Sequence, residues 1–376
     1  MNLPSLRTIQ HLGIKELWSL VRDPMMLVLV GYTFTVAIYI SATAMPESLH
    51  KAPIAIVDED ASPLSARIAA AFQLPRFNPP AMIPINGIDP GMDSGRHTFV
   101  LDIPPDFQRH VLEGDSPAIQ LNVDATRMSQ AFTGSSYIQQ MVLAEVSEYV
   151  QRHRNVRVSP VELAMRSRFN PNLERSWFGG LMEIINNITL VSVILTGAAL
   201  IREREHGTIE HLLVMPVRPA EIMLSKVWSM GLVVLVSATF SLIVVVQGLL
   251  RVPIDGSVPL FLAGSVLHLF ATTSMGIFLA TLARSMPQFG LLTMLVLLPM
   301  QLLSGSATPT ESMPAFVQKI MLAAPTTHFV SIGQAILFRG SGLDVVWPQF
   351  LALAVIGAAF FALTLHRFRS AVSQMA

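Results

Sequence analysis

Residues 186–226, NNITLVSVILTGAALIREREHGTIEHLLVMPVRPAEIMLSK, decide the fold of this chain. The stretch begins inside an apolar run that starts at about residue 179, and a second apolar run follows it at about 227–250. Between the two runs, residues 202–226 hold four basic and four acidic side chains. Two apolar runs of spanning length with a charged connection predict membrane-spanning helices that are joined outside the bilayer.

The composition of the whole chain also predicts a membrane protein. Of its 376 residues, 52% are hydrophobic and 13% are charged, whereas a soluble domain carries roughly 25% charged residues. The formal net charge is zero, so nothing indicates a nucleic-acid partner. The chain has no cysteine, which excludes disulfides, thiolate metal sites and thiol nucleophiles, and we predict no metal site.

Six apolar stretches are long enough to form spanning helices, which need about 20 residues. They are at about 25–44, 179–201, 227–250, 258–283, 287–304 and 345–366. The fifth is the weakest of them because Pro287 and Pro299 bracket it. The predicted fold class is therefore an α-helical membrane protein with six transmembrane helices.

The distribution of lysine and arginine predicts the orientation of these helices. Ten basic residues fall on one side of a six-span chain: Arg7, Lys15, Arg22, Arg202, Arg204, Arg218, Lys226, Arg284, Arg367 and Arg369. The short connections on the opposite side hold three, which are Arg251, Lys319 and Arg339. Since basic residues accumulate on the cytoplasmic side, we expect both termini, including the tail 367–376, in the cytoplasm.

Residues 45–178, between the first two spans, have a soluble composition and lie on the outer side in this topology. APIAIVDED (52–60) predicts a strand and a turn, and SPLSARIAAAFQ (62–73) predicts a helix with Ser62 as cap and Pro63 at its first position. Residues 97–125 repeat the order strand, helix, strand, and 127–153 predict one long helix. The pattern favours an inserted extracytoplasmic α/β domain, in which VDEDASP (57–63) is a turn rather than a metal site.

The first 24 residues are patterned as an amphipathic helix. Leu6, Ile9, Ile14, Leu17 and Val21 share one helical stripe, and such a helix can lie in the cytoplasmic headgroup plane. The alternative is an ordinary flank of the first span. That span carries a cleavage-like SATAM (41–45), but the long basic segment before it favours an uncleaved anchor.

The charged connection 202–218 is patterned as a short helix. Thr208 is in capping position, Ile209, Leu212 and Leu213 share one face, and Pro216 ends the helix. Pro219 then begins the next helix, with acidic Glu221 in its first turn. The short apolar face would be poorly buried without a cytoplasmic partner. A solvated loop whose charges only fix the topology is an equally good interpretation of the residues alone.

The motifs of several enzyme classes are missing. No G-x-x-x-x-G-K-[ST] occurs, and His206 and His211 are not in the H-E-x-x-H spacing of a zinc protease. The polar residues within the apolar spans include Glu183, Asn187 and His268. They are candidates for the translocation path, because ionisable residues in a membrane are often functional. Polar contacts between helices are the alternative interpretation of each.

Three stretches carry a resemblance to a known family. EREHGTIEHLLVMPVRPAEIMLSKVW (203–228) resembles the signature of ABC-2 type transporter permeases through Glu203, Arg204, Glu205, Gly207, Thr208, Pro216, Arg218, Glu221 and Lys226. Residues 302–342 are similar to the family's stretch after span five, through Ser304, Gly305, Pro309, Met313, Pro314, Pro325, Thr326, His328, Arg339 and Gly340. RFNPNLERSWF (168–178) resembles the return to the membrane in the drug-exporter-like inner-membrane branch, which has a large periplasmic domain.

The resemblance implies one membrane half of an ATP-driven exporter in a bacterial inner membrane. A separate ATPase subunit would supply ATP and Mg, a second permease subunit would complete the transporter, and a periplasmic membrane-fusion adaptor is a further partner of the branch. It also implies re-entrant helices at 305–340 and a coupling helix that docks on the ATPase. The residues assigned to that coupling are Glu203, Arg204, Glu205, Gly207, Thr208, Ile209, Glu210, Leu212, Leu213 and Pro216. The alternative is a non-transporting membrane receptor or scaffold with a ligand-sensing outer domain.

Overall fold

The computed structural model describes residues 5–43, 51–124, 128–154, 175–205, 207, 217–306 and 308–373. The chain divides into two compact units. One unit comprises Met1–Met45 and Ser167–Ala376, and the other comprises Pro46–Arg166.

The chain begins with three helices: α1 (Leu6–Val21), α2 (Pro24–Phe34) and α3 (Val36–Thr43). Ser5 caps α1 by accepting a hydrogen bond from the backbone N–H of Thr8. Asp23 caps α2 in the same way, with its Oδ1 atom 3.2 Å from the backbone N of Met26. Pro24 is the first residue of α2, so the chain breaks between α1 and α2 at Asp23-Pro24.

The α/β unit contains four strands and four α-helices in its described part. They are β1 (Ile54–Asp58), α4 (Pro63–Ala71), β2 (Ala81–Met82), α5 (Ile88–Asp93), β3 (Phe99–Ile103), α6 (Phe107–Glu113), β4 (Gln120–Val123) and α7 (Met128–Arg154). The strand order is β2-β1-β3-β4, with β1 parallel to β2 and β3, and β3 antiparallel to β4. The predicted strand, helix, strand order at 97–125 and the long helix after it are confirmed.

Successive side chains of the strands in this unit pack on alternate faces of the sheet. On β3, Phe99, Leu101 and Ile103 join the larger core cluster, whereas Val100 packs in a smaller cluster on the opposite face. The predicted turn after β1 is confirmed, since Asp58 Oδ1 accepts hydrogen bonds from the backbone N–H groups of the two residues Asp60 and Ala61. Ser62 and Ser65 form a capping box at the start of α4.

The rest of the helical unit contains seven further α-helices in its described part. They are α8 (Arg175–Glu205), α9 (Pro219–Phe240, with a π-helical continuation Ser241–Leu249), α10 (Val258–Leu282), α11 (Met286–Leu302), α12 (Ala315–Met321), α13 (Pro325–Gly333, with a π-helical continuation Gln334–Phe338) and α14 (Leu343–Ser373). The start of α9 at Pro219 is the start that the sequence predicts.

In the described residues, five helical segments are long and apolar enough to cross a membrane: Pro24–Thr43, Trp177–Glu205, Pro219–Leu249, Val258–Leu282 and Leu343–Arg367. Helix α11 is apolar but has 17 residues, at the lower limit of a span. Helices α12 and α13 with its continuation form an apolar pair that is bent by 87° at a short break. The chain is thus a mostly helical membrane protein with five to six candidate spans.

Helix α8 lies at the centre of the helical unit, and 83% of its apolar window is buried. It packs against α10, which in turn packs against α14. Gly276 allows α10 to approach α8 closely, because a Cβ atom there would collide with the backbone of Val193 and the side chain of Thr196. Small residues at such crossings are the usual basis of helix packing in membranes.

Candidate functional site

The candidate site is the charged end of α8 and the start of α9, which flank the connection 202–218. Helix α9 begins with Pro219, and Glu221 in its first turn accepts hydrogen bonds from two backbone N–H groups. These belong to Arg218, at 2.8 Å, and to Ser5 before α1, at 2.7 Å. Trp228 Nε1 donates to the Ile9 carbonyl at 3.2 Å. The N-terminal helix is therefore attached to α9 at both ends of this contact.

Lys226 lies at the centre of a buried group of charges, which we call the Lys226 cluster (Glu16, Glu203 and Lys226). Its Nζ atom is 2.9 Å from Glu16 Oε1 and 2.8 Å from Glu203 Oε2. The Lys226 side chain is 1% exposed. Lys15, at the surface, places its Nζ atom 3.0 Å from Glu203 Oε1. The cluster joins α1, the end of α8 and the start of α9.

The electrostatics of the cluster are set by burial. Desolvation raises the pKa of Glu16, and the nearby Glu203 carboxylate acts in the same direction, while Lys226 opposes both. Two carboxylates share one buried ammonium group, so Lys15 supplies the second positive charge from the solvent side. Buried ions are tolerated when they are paired in this way, and removal of one partner is costly.

The other charges at the end of α8 also have partners within the chain. Arg202 Nη1 is 2.6 Å from Asp23 Oδ2, at the break between α1 and α2. Arg204 Nη1 donates to the Ala283 carbonyl at 2.6 Å, and Glu205 Oε1 accepts from the Met286 backbone N–H at 3.0 Å. The last turn of α8 is thereby attached both to the N-terminal helices and to the connection between α10 and α11.

Gly207 follows α8 with a positive φ of 67°, and its N–H bonds to the Arg204 carbonyl at 3.1 Å. This left-handed conformation favours glycine and ends the helix. The remaining residues assigned to coupling lie outside the described residues: Thr208, Ile209, Glu210, Leu212, Leu213 and Pro216. Within the described parts of the chain, no group of three or more histidine or acidic side chains could hold a metal ion.

Glu16 and Asp23 are the site residues that sequence reasoning missed. Glu16 is buried on the face of α1 that also buries Ile9, Gly13 and Leu20. A signal was present, because these four positions recur at helical spacing and Glu16 is the charged residue among them. The predicted stripe differs from this face, since Leu6, Ile14 and Val21 are exposed.

The candidates for the translocation path make contacts between helices. Glu183 Oε2 accepts from Ser41 Oγ at 3.3 Å, and Asn187 Nδ2 donates to the Thr33 carbonyl at 3.0 Å. Both residues therefore face the first candidate span. Bonds of this kind hold helices together in membranes.

His268 is a fully buried residue of α10 that contacts α8 and α13. Its Nε2 atom is 2.7 Å from Thr189 Oγ1. Its ring stacks on Phe329 with the centroids 4.0 Å apart. The structure thus places His268 in a packed contact, and its neighbours differ from those of Glu183 and Asn187.

Comparisons with known proteins agree with the architecture. A sequence profile of the family described as "ABC-2 family transporter protein" matches residues 24–366. The chain is 60% identical over 371 residues to "Inner membrane transport permease YhhJ" of Escherichia coli (strain K12), which covers 99% of both chains. It is 28% identical over 356 residues to "Probable multidrug ABC transporter permease YbhR" of the same organism, covering 93% of this chain and 96% of the relative. It is also 23% identical to "ABC transporter G family member 20" of Dictyostelium discoideum, over 69% of this chain and 36% of that one.

Proposed function

The chain belongs to the ABC-2 family of transporter proteins, and we propose that it couples ATP hydrolysis by a separate subunit to export. Members of this family are the permease subunits of ABC transporters. The finer proposal is that an ATPase subunit docks on the connection 202–218 and moves it, and that this movement switches the spans between inward-facing and outward-facing states. ATP and Mg would be bound by that subunit.

The Lys226 cluster is the observation that supports this proposal most directly. It joins α1 to the ends of the two helices that flank the connection. Buried, paired charges hold these helix ends together, because separation of the ions would leave them unpaired in a low-dielectric environment. Force applied to the connection would therefore move these helix ends together.

In this proposal the residues assigned to coupling have two roles. Glu203, Arg204 and Glu205 have partners within the chain, so they position the connection rather than bind the ATPase. Thr208, Ile209, Glu210, Leu212, Leu213 and Pro216 would form the docking helix, with Ile209, Leu212 and Leu213 in a groove of the ATPase. Glu210 would pair with a basic group of the ATPase.

We propose a topology of six spans, in which α11 is the fifth and the bent pair α12–α13 re-enters from the outer side. Ten of thirteen basic residues in the termini and short connections then lie in the cytoplasm with both termini. The α/β unit is extracytoplasmic. A second permease subunit would complete the pathway, and a membrane-fusion adaptor is a further partner that this outer unit would contact.

The proposed substrate is a drug-like molecule or cation, which would leave the cytoplasm. Two observations support this choice. One relative is named as a probable multidrug permease, and the central contacts of the helical unit combine apolar side chains with neutral hydroxyl groups. The alternative of a receptor or scaffold requires no ATP-dependent movement of any molecule.

Everted membrane vesicles test the proposal. The chain is expressed with its flanking genes in a strain that lacks its major exporters, and uptake of ethidium is followed by fluorescence. We expect uptake that needs hydrolysable ATP and persists with a protonophore. Uptake no faster than in empty-vector vesicles, together with no copurifying ATP-binding subunit, would support the receptor instead.

A further inference from the structure

A cavity in the helical unit lies away from the Lys226 cluster, among the end of α11, the bent pair α12–α13 and the start of α14. Its volume is about 620 Å³, within the range of about 300–1,000 Å³ that small-molecule pockets occupy. The turn at Gly305, whose φ is 93°, forms one side of it. In the proposed topology this cavity is at the outer end of the helical unit.

Neutral hydrogen-bonding side chains outnumber titratable ones in the lining of this cavity. The hydroxyl and amide side chains include Ser304, Ser306, Thr310, Thr327, Gln334 and Gln349. The titratable side chains among the described lining residues are Glu311, His328 and Arg339. Because Glu311 and Arg339 carry opposite charges, the lining has no net charge when His328 is neutral. A charged ligand would therefore lose its hydration without a matching excess of opposite charge.

Two lining residues have unsatisfied oxygens. Thr327 Oγ1 and Gln349 Oε1 are buried, and neither has a hydrogen-bond partner in the described parts of the chain. An unsatisfied buried polar atom costs about 1–3 kcal/mol. The terminal torsion of a glutamine side chain has a broad energy minimum, so Gln349 can turn its amide oxygen towards a donor in the cavity.

The lining of the cavity also includes exposed aromatic and apolar side chains. The ring of Phe178 stacks on Phe338 with the centroids 5.6 Å apart, and Phe178 is 39% exposed. Leu322, also in the lining, is 61% exposed. A lining that combines exposed apolar side chains with neutral polar groups is suited to a molecule that has both kinds of surface.

We propose that this cavity binds an uncharged amphipathic molecule that carries several hydroxyl or amide N–H groups. The donors of the ligand bond to Gln349 and Thr327, and its apolar part lies on Phe178 and Leu322. This inference depends on the proposed function in that it makes the cavity an outer binding site for the uncharged drug-like molecules among the proposed substrates. The binding step itself requires neither ATP nor the ATPase subunit.

Photolabelling of the purified full-length chain in lipid nanodiscs tests the proposal. The probe is octyl glucoside with a diazirine in its alkyl chain, below its critical micelle concentration, and labelled peptides are identified by mass spectrometry. We expect saturable labelling of peptides within 304–349. We also expect competition by unlabelled octyl glucoside that is at least about tenfold stronger than by octyltrimethylammonium or octyl sulfate, because the lining is uncharged overall.

Matched variants locate the site. Gln349→Leu removes one hydrogen bond, so the concentration for half-saturation should rise about 3–10-fold. Phe178→Ala should raise it as well, whereas Gln318→Leu, whose side chain bonds to the Met313 carbonyl outside the lining, should leave it unchanged. Equal competition by either charged detergent, or labelling that neither lining variant weakens, would overturn the proposal. Saturable labelling with neither ethidium export nor a copurifying ATP-binding subunit would refute the proposed function and leave the cavity assignment standing.

Discussion

Lys226 supplies the buried positive charge of the Lys226 cluster. Its ammonium group is nearly inaccessible to solvent, and its two carboxylate partners come from α1 and α8. The loss of one member of a buried ion group is far more costly than the loss of a surface pair, because the remaining charges stay desolvated. Substitution at this position therefore tests whether the cluster holds the three helices together.

Lys226→Met should lower the stability of the chain by about 3–5 kcal/mol, since two buried carboxylates would lose their shared partner. The measurement is the thermal unfolding midpoint in nanodiscs by scanning fluorimetry. Lys319→Met, at an exposed position on α12, is the control and should be close to neutral. An unchanged midpoint for Lys226→Met would show that the ion cluster contributes little to stability.

Glu16 gives the cluster a pH dependence. Burial raises the pKa of Glu16, so between the ordinary glutamate pKa and this raised value the folded chain binds more protons than the unfolded chain. The contribution of Glu16 to stability therefore increases as the pH falls through that window and is lost as the pH rises through it.

The Glu16→Gln variant cannot titrate and serves as the reference for this effect. The unfolding midpoint of the wild type, relative to Glu16→Gln, should increase as the pH is lowered from neutrality towards the ordinary glutamate pKa. Glu113→Gln, at an exposed position on α6, controls for general effects of the buffer. A difference between wild type and Glu16→Gln that stays constant with pH would contradict the burial of a titrating carboxyl.

At the scale of elements, the end of α8 determines how force from the connection would reach the spans. Its last turn is attached through Glu203 to the Lys226 cluster and through Arg204 and Glu205 to the segment between α10 and α11. Gly207 then turns the chain out of the helix with a positive φ. A well-defined end of α8 would transmit a displacement of the connection to the span, because a frayed end would deform instead.

Gly207→Ala should weaken coupling, since a left-handed conformation costs an L-residue about 1–2 kcal/mol. ATP-dependent ethidium uptake into everted vesicles should fall while the amount of inserted protein stays the same. Gly207→Asn is the matched variant and should retain more uptake, because asparagine adopts positive φ more readily than alanine. Equal uptake by both variants and the wild type would show that the backbone conformation of Gly207 does not contribute to coupling.

Local elements were predictable from the sequence because their signals are local. Patterns within a few residues predict the start of α9 at Pro219 and the cap of α4 at Ser62. They also predict the succession of strand, helix and strand at 97–125. The pair of Glu16 and Lys226 was not predictable, because 210 positions separate the two residues. A single sequence carries no information on which distant charges meet.

At the scale of the whole molecule, the proposed topology places the α/β unit and the bent pair outside and the α10–α11 connection inside. The native chain has no cysteine, so single cysteines can be introduced into an unreactive background. Ser147 on α7, Ser312 before α12 and Arg284 after α10 are exposed positions in the three segments that need to be located.

A membrane-impermeant maleimide should label Ser147→Cys and Ser312→Cys in intact spheroplasts. Arg284→Cys should be labelled after permeabilisation and not before it, because basic connections stay in the cytoplasm. The readout is the mass shift of the purified chain. Labelling of Arg284→Cys in intact spheroplasts, or protection of Ser312→Cys from the maleimide, would contradict the proposed six-span topology.

Docking of a separate ATPase on the connection is the central step of the proposed mechanism. The most direct test measures Mg-ATP hydrolysis that copurifies with the tagged chain, in the wild type and in Leu212→Asp/Leu213→Asp, which places charges on the proposed docking face. We predict activity with the wild type and a loss of at least about tenfold in the double variant, with equal insertion and an equal unfolding midpoint. Undiminished activity in the double variant, or no copurifying activity with the wild type, would contradict the account.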